Sequence, residues 1–172
     1  MSDLVTKKEL LFKMPEKRKN RVCFFVFSFL SLAVMVVIFL FSNQTAGESS
    51  NLSGSFVEFL IENIGGILAE KIIMLTVYVR KFAHFSLFAV LGVFVTSAAI
   101  NLKSKNWVKL LSVALFGLFY GISDEVHQLF INGRSCEITD VMIDFGGFVF
   151  GMCVALLVYR ILCFFALKNK KV

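Results

Sequence analysis

Residues 22–41 carry no charge and only two hydroxyls, Ser28 and Ser31. As a helix, such a run rises about 30 Å, the thickness of a bilayer's hydrocarbon layer. Three further apolar runs follow. The first, 82–100, is interrupted by His84 and small residues. The second covers 107–122, and the third, 141–165, holds Asp144 and Arg160 near its ends. The expected fold is all-α: a polytopic membrane protein with four transmembrane helices at about 22–42, 82–100, 107–131 and 141–165. Helices buried in soluble bundles are usually shorter, and one small core would not hold 21 phenylalanines. The first run exceeds the apolar core of a signal peptide, about 7–15 residues, so an uncleaved anchor is expected. Disorder is excluded, because 58% of the residues are apolar.

The net charge of +6 is unevenly distributed. Residues 1–21 hold seven Lys and Arg, and segment 43–81 holds three beside four glutamates. The connection 101–109 holds three, 132–140 holds only Arg134, and the C-terminal end holds Arg160, Lys168, Lys170 and Lys171. Under the positive-inside rule this alternation predicts that both termini lie in the cytoplasm. Membrane domain 22–165 then lies between a basic N-terminus, 1–21, and a basic tail, 166–172. The basic residues flank spans without any nucleic-acid motif, so nucleic-acid binding is excluded. Cys23, Cys136, Cys153 and Cys163 form no C-x-x-C, and no H-E-x-x-H is present, so neither a cofactor nor a metal centre is expected from motifs.

Segment 43–81 lies on the outer side in this reading. Its Ser/Asn/Gly-rich part, 43–55, reads as a loop. Phe56, Phe59, Leu60 and Ile64 then recur at helical spacing opposite Glu58 and Glu62, which suits a short interfacial helix ending at Gly65-Gly66. Residues 67–79 are apolar but too short to cross alone, so they lie at the interface or extend the second span outward.

A charged group at membrane depth costs roughly 3 kcal/mol or more, so polar residues there need a reason. They occur in three sets, all at the outer ends of spans. Arg80 and His84 share a helix face by i,i+4 spacing, and Lys81 and His84 are i,i+3 neighbours. Asp124 and Gln128 share another face. Glu125 is rotated about 100° from Asp124, so one of the two acids is expected to face the bundle and the other an aqueous mouth. Asp140 and Asp144 share a third face. Asp140 suits a helix N-terminus, whereas Asp144 lies a turn deeper and requires a partner such as Arg134, Arg80 or Lys81. Two G-x-x-x-G pairs, Gly117/Gly121 and Gly147/Gly151, are expected to let the third and fourth spans approach closely.

Four strings carry a resemblance: F-S-N-Q-T-A-G-E-S-S-N-L-S after the first span, R-K-F-A-H-F, Y-G-I-S-D-E-V-H-Q-L-F-I-N-G-R, and D-V-M-I-D-F-G-G-F-V-F-G. In this order they resemble the VanZ-like family of bacterial membrane proteins over about residues 22–160. By position the resemblance implies functional roles for Ser42, Gln44, Lys81, His84, Asp124, Glu125, Gln128, Gly133, Arg134, Asp140, Asp144 and Gly147. It also implies a cell-envelope role, because the family's name-giving member is associated with resistance to the antibiotic teicoplanin.

The favoured expectation is an outer-facing site for an anionic, lipid-linked cell-wall precursor. Arg80, Lys81, Arg134 and His84 would meet phosphate or carboxylate groups, while Asp124, Glu125, Asp140 and Asp144 orient them. Two alternatives are an intramembrane enzyme, whose carboxylates and His84 hold a divalent ion for phosphoester chemistry or divide general acid and base roles, and a proton-coupled transporter. Four spans without broken helices would have to oligomerise to form a complete carrier.

Overall fold

The structure is a computed structural model that describes residues 21–64 and 69–168, with side chains for all of these except 60–64, 69–74, 167 and 168. The basic N-terminus before Arg21, the Gly65-Gly66 stop and the end of the tail lie outside the described residues. Five helices follow in order: α1 (Arg21–Ser42), α2 (Ala46–Ile64), α3 (Ala69–Ile100), α4 (Asn106–Gln128) and α5 (Ile138–Lys168). Four of them hold stretches long and apolar enough to cross a membrane, namely Arg21–Ser42, Leu75–Ile100, Asn106–Gln128 and Ile138–Ala166. The chain is therefore an all-helical polytopic membrane protein.

Several boundaries differ from the sequence expectation, among them the helix of the fourth span, which runs Ile138–Lys168 rather than 141–165. The second span is part of the continuous helix Ala69–Ile100, so 69–79 extends that span at its N-terminal end rather than forming a separate surface piece. The third span stops at Gln128 instead of 131, because Phe130 and Ile131 turn back to the carbonyls of His127 and Gln128.

Segment 43–55 is not a loop. Helix α2 already begins at Ala46, so only 43–45 link it to α1. The cause is a reciprocal cap. The Glu48 N–H donates to Thr45 Oγ1 (3.3 Å), and Glu48 Oε2 accepts from the Thr45 N–H and hydroxyl (2.9 Å each). Val57 is buried, whereas Leu52, Phe56 and Phe59 are exposed at i, i+4 and i+7 as a stripe suited to the membrane surface.

The Thr45 bonds, backbone first and then hydroxyl, hold the Glu48 carboxyl below its ordinary value of 4.5. A lowered folded value means that the cap stabilises α2 above the ordinary glutamate range and is lost as pH falls through the folded value. Hydrogen exchange is expected to show protection at 46–49 that declines in that acidic window, and Glu48→Gln should flatten the profile. Identical profiles in both proteins would refute the cap.

The sequence of side-chain contacts sets the direction of the helices. Lys81 and His84 of α3 meet Asp140 and Asp144 of α5, so these two helices run parallel. Ser42 at the end of α1 meets Asp124 near the end of α4, so those two run the opposite way. Helix α3 is central, with 33% of its span buried against 11% for α1. The core comprises Ile38, Phe88, Leu91, Val113 and Phe148, with Tyr120 donating from its hydroxyl to the Met35 carbonyl at 3.0 Å.

Lipid offers no hydrophobic drive between helices, so close backbone packing must hold them. A Cβ on Gly147 would overlap the Phe85 carbonyl, one on Gly151 the Ala89 carbonyl, and one on Gly92 the Phe148 carbonyl. The Gly147/Gly151 pair therefore serves the α3–α5 contact, between the second and fourth spans. This corrects the expected pairing of the third and fourth. On α4, Gly117 makes room for the Phe148 ring, and Gly121 lies 3.7 Å from Asp144 Cβ by its missing side chain.

Candidate functional site

The ends of α1 and α4 and the first halves of α3 and α5 meet at one end of the bundle. There the three polar sets converge on a cavity of about 70 Å³ lined by Arg80, Lys81, His84, Glu125, Gln128, Arg134, Asp140 and Asp144, among others. Asp124 lies directly behind it.

One wall is a chain of hydrogen bonds. Ser42 Oγ donates to Asp124 Oδ2 at 2.8 Å, and Gln128 Nε2 donates to Asp124 Oδ2 at 3.0 Å and to Glu125 Oε1 at 3.1 Å. Arg134 Nη1 donates to Gln128 Oε1 at 2.9 Å, and its Nη2 reaches the Phe41 carbonyl at 3.4 Å. Gln128 thus links two buried acids to one guanidinium. The sequence expectation that one of the two acids faces an aqueous mouth is corrected, since Asp124 and Glu125 are both buried. Glu125 is 1% exposed, because the chain after α4 folds over it and the Glu137 N–H donates to its Oε2 at 3.1 Å.

That fold-back needs Gly133. Its φ of +78° belongs to the left-handed region, and a Cβ there would lie 3.2 Å from Ala46 Cβ. The Ala46 N–H reaches the neighbouring Asn132 carbonyl at 3.4 Å, which joins the start of α2 to the same loop. Burial first, then the Arg80 guanidinium, hold the Arg134 pKa below the ordinary arginine range. Arg134 remains a cation at neutral pH. Among the described residues neither Arg80 nor Arg134 forms an ion pair with a carboxylate.

The opposite wall pairs α3 with α5. Lys81 forms an ion pair with Asp140 and lies 3.6 Å from Glu137 Oε2. His84 Nδ1 lies 3.6 Å from Asp144 Oδ1. Histidine is therefore the basic neighbour of Asp144, in place of the arginine or lysine expected from sequence. The register that brings Lys81 to Asp140 places His84, one helical turn on, beside Asp144.

Sequence reasoning overlooked Glu137, which lines the cavity, approaches Lys81 and covers Glu125. Its position just ahead of the fourth span was the available signal. His127, from the same set as Asp124, turns away and stacks on Phe39 at 4.9 Å. Gln44 has a described contact through its backbone, which donates to the Phe41 carbonyl at 3.3 Å.

These features define a polytopic helical membrane protein with an ionisable cavity at one end of its bundle. The family described as VanZ/LLP1 matches residues 27–161, most of the chain, and the protein belongs to that family. No curated protein and no solved structure matches it significantly.

Proposed function

We propose that this VanZ-family protein binds the phosphate or carboxylate group of a lipid-linked cell-wall precursor in the cavity between α3, α4 and α5. The protein lies in a bacterial cytoplasmic membrane with both termini inside, and the cavity opens on the outer face. The Lys and Arg distribution supports that orientation, since 1–21, 101–109 and the tail are the basic segments.

The observation that carries the reading is the pair of arginines. Arg80 and Arg134 line one small cavity, close enough for one charge to act on the other, and among the described residues no carboxylate forms an ion pair with either. Two guanidinium groups held together favour an anion between them, and their planar forks suit phosphate and carboxylate oxygens. The start of α2 joins the loop at the site through Ala46, and the helix's exposed apolar stripe supports access from the membrane. Sequestering such a precursor would alter susceptibility to teicoplanin-type antibiotics.

The test is binding of a polyprenyl diphosphate to the protein in nanodiscs, with the uncharged polyprenol as control. Arg80→Ala removes a side chain that makes no hydrogen bond among the described residues and is the cleaner variant; Arg134→Ala also releases Gln128. Loss of hydrogen bonds to a charged group, worth about 1.5–3 kcal/mol, should weaken binding about 10- to 100-fold. Equal affinity of the diphosphate for both variants and the unaltered protein, or equal binding of the polyprenol, refutes the reading. Susceptibility to teicoplanin in cells with and without the protein tests the envelope role separately.

A further inference from the structure

We propose that His84, Asp124 and Asp144 form a divalent-cation site at the base of the cavity. One ligand atom from each residue, the imidazole nitrogen and one oxygen from each carboxylate, lies within 4.8 Å of the other two. Ligands about 2.1 Å from a tetrahedral ion stand about 3.4 Å apart, close to the 3.6 Å between His84 Nδ1 and Asp144 Oδ1. Drawing Asp124 in completes the set.

Asp144 supplies the independent observation. It is 1% exposed, and both its oxygens are buried without a hydrogen-bond partner. The approach of His84, at 3.6 Å, is beyond hydrogen-bonding distance. A buried carboxylate in that condition is costly, and coordination is one of the few arrangements that relieve it. Further acidic groups are buried beside it, since Asp124 and Glu125 are 6% and 1% exposed.

Asp124 already has the outer support that a metal ligand requires. Ser42 and Gln128 both donate to its Oδ2 and fix its orientation. The three ligands come from α3, α4 and α5, so the site needs the assembled bundle and not a local motif. Three protein ligands leave a coordination position open. His84 and Asp144 line the cavity that also holds Arg80 and Arg134, so that position faces the arginine pair. One imidazole and two carboxylates suit a first-row divalent ion such as Zn²⁺ or Mn²⁺ rather than a soft monovalent one. The site does not rest on the anion-binding reading, because none of its ligands is an arginine.

The experiment uses the full chain in nanodiscs, stripped with a chelator, reloaded with Zn²⁺ or Mn²⁺ and desalted before metal analysis. One ion per chain is expected. Asp144→Asn and His84→Ala should each weaken binding by more than the roughly 10–100-fold loss caused by removing an outer-shell partner. Glu48→Gln, at an exposed acid outside the site, should retain the ion. Arg80→Ala should also retain it while losing the polyprenyl diphosphate, so either proposal can fail without the other. Less than stoichiometric metal in the unaltered protein, or equal retention by Asp144→Asn, overturns the site. If the variants do not fold, Co²⁺ loaded into the unaltered protein decides. An absorption spectrum shifted from that of the aqua ion supports nitrogen and carboxylate ligation, and an aqua-ion spectrum refutes it.

Discussion

Gly151→Ala is expected to destabilise the bundle by roughly 1–3 kcal/mol, toward the upper end of the usual cost of overpacking. The new methyl group would overlap the backbone carbonyl of Ala89, and a backbone cannot swing aside as a side chain can. Helix α3 would have to withdraw, which would also loosen the contacts at Gly147 and Gly92. The same methyl at Gly146 meets nothing within 4 Å. Gly146→Ala should therefore be neutral or stabilising by up to about 1 kcal/mol, the difference in helix propensity. Thermal melts of both variants in nanodiscs give the comparison. Equal melting temperatures would mean that the backbone contact between α3 and α5 does not hold the bundle.

A larger loss is expected from Gln128→Glu. The Gln128 amide donates to Asp124 and Glu125 while its oxygen accepts from Arg134, and a carboxylate at that position can perform only the second role. It would face two buried acids without hydrogen bonds to either. Uncompensated buried charge typically costs about 3–5 kcal/mol. Gln128→Leu removes the same hydrogen bonds at similar volume but adds no charge, and Arg134 is then free to move toward the acids. The leucine variant should melt above the glutamate variant. The reverse order would show that Gln128 does not bridge the acids as described.

The four spans were legible because an uncharged run of helical length has few other places to go. The polar side chains were legible for a related reason, since each is expensive at membrane depth. Their partners were not. Ser42 and Asp124 are 82 residues apart, and only the packing of α1 against α4 brings them together. Lys81, Arg80 and Arg134 all had the right charge for Asp144, and the α3–α5 register selected His84 instead. The two G-x-x-x-G pairs have identical spacing, so spacing alone cannot say which helix each one faces. Helix α2 shows a missed local signal. Its first half is too polar to read as a helix by periodicity, yet Thr45 and Glu48 stand at capping-box spacing before it.

Helices α3 and α5 have 32 and 31 residues, about 48 and 46 Å in length, well beyond the roughly 30 Å of hydrocarbon they cross. Long helices answer such a mismatch by tilting. These two run parallel and are held together backbone to backbone, so they lean as one body. The ion pair between Lys81, well inside α3, and Asp140, in the first turn of α5, travels with them. Bilayer thickness thereby sets how deep the mouth of the cavity lies among the headgroups, and membranes of different lipid composition present the same site at different heights.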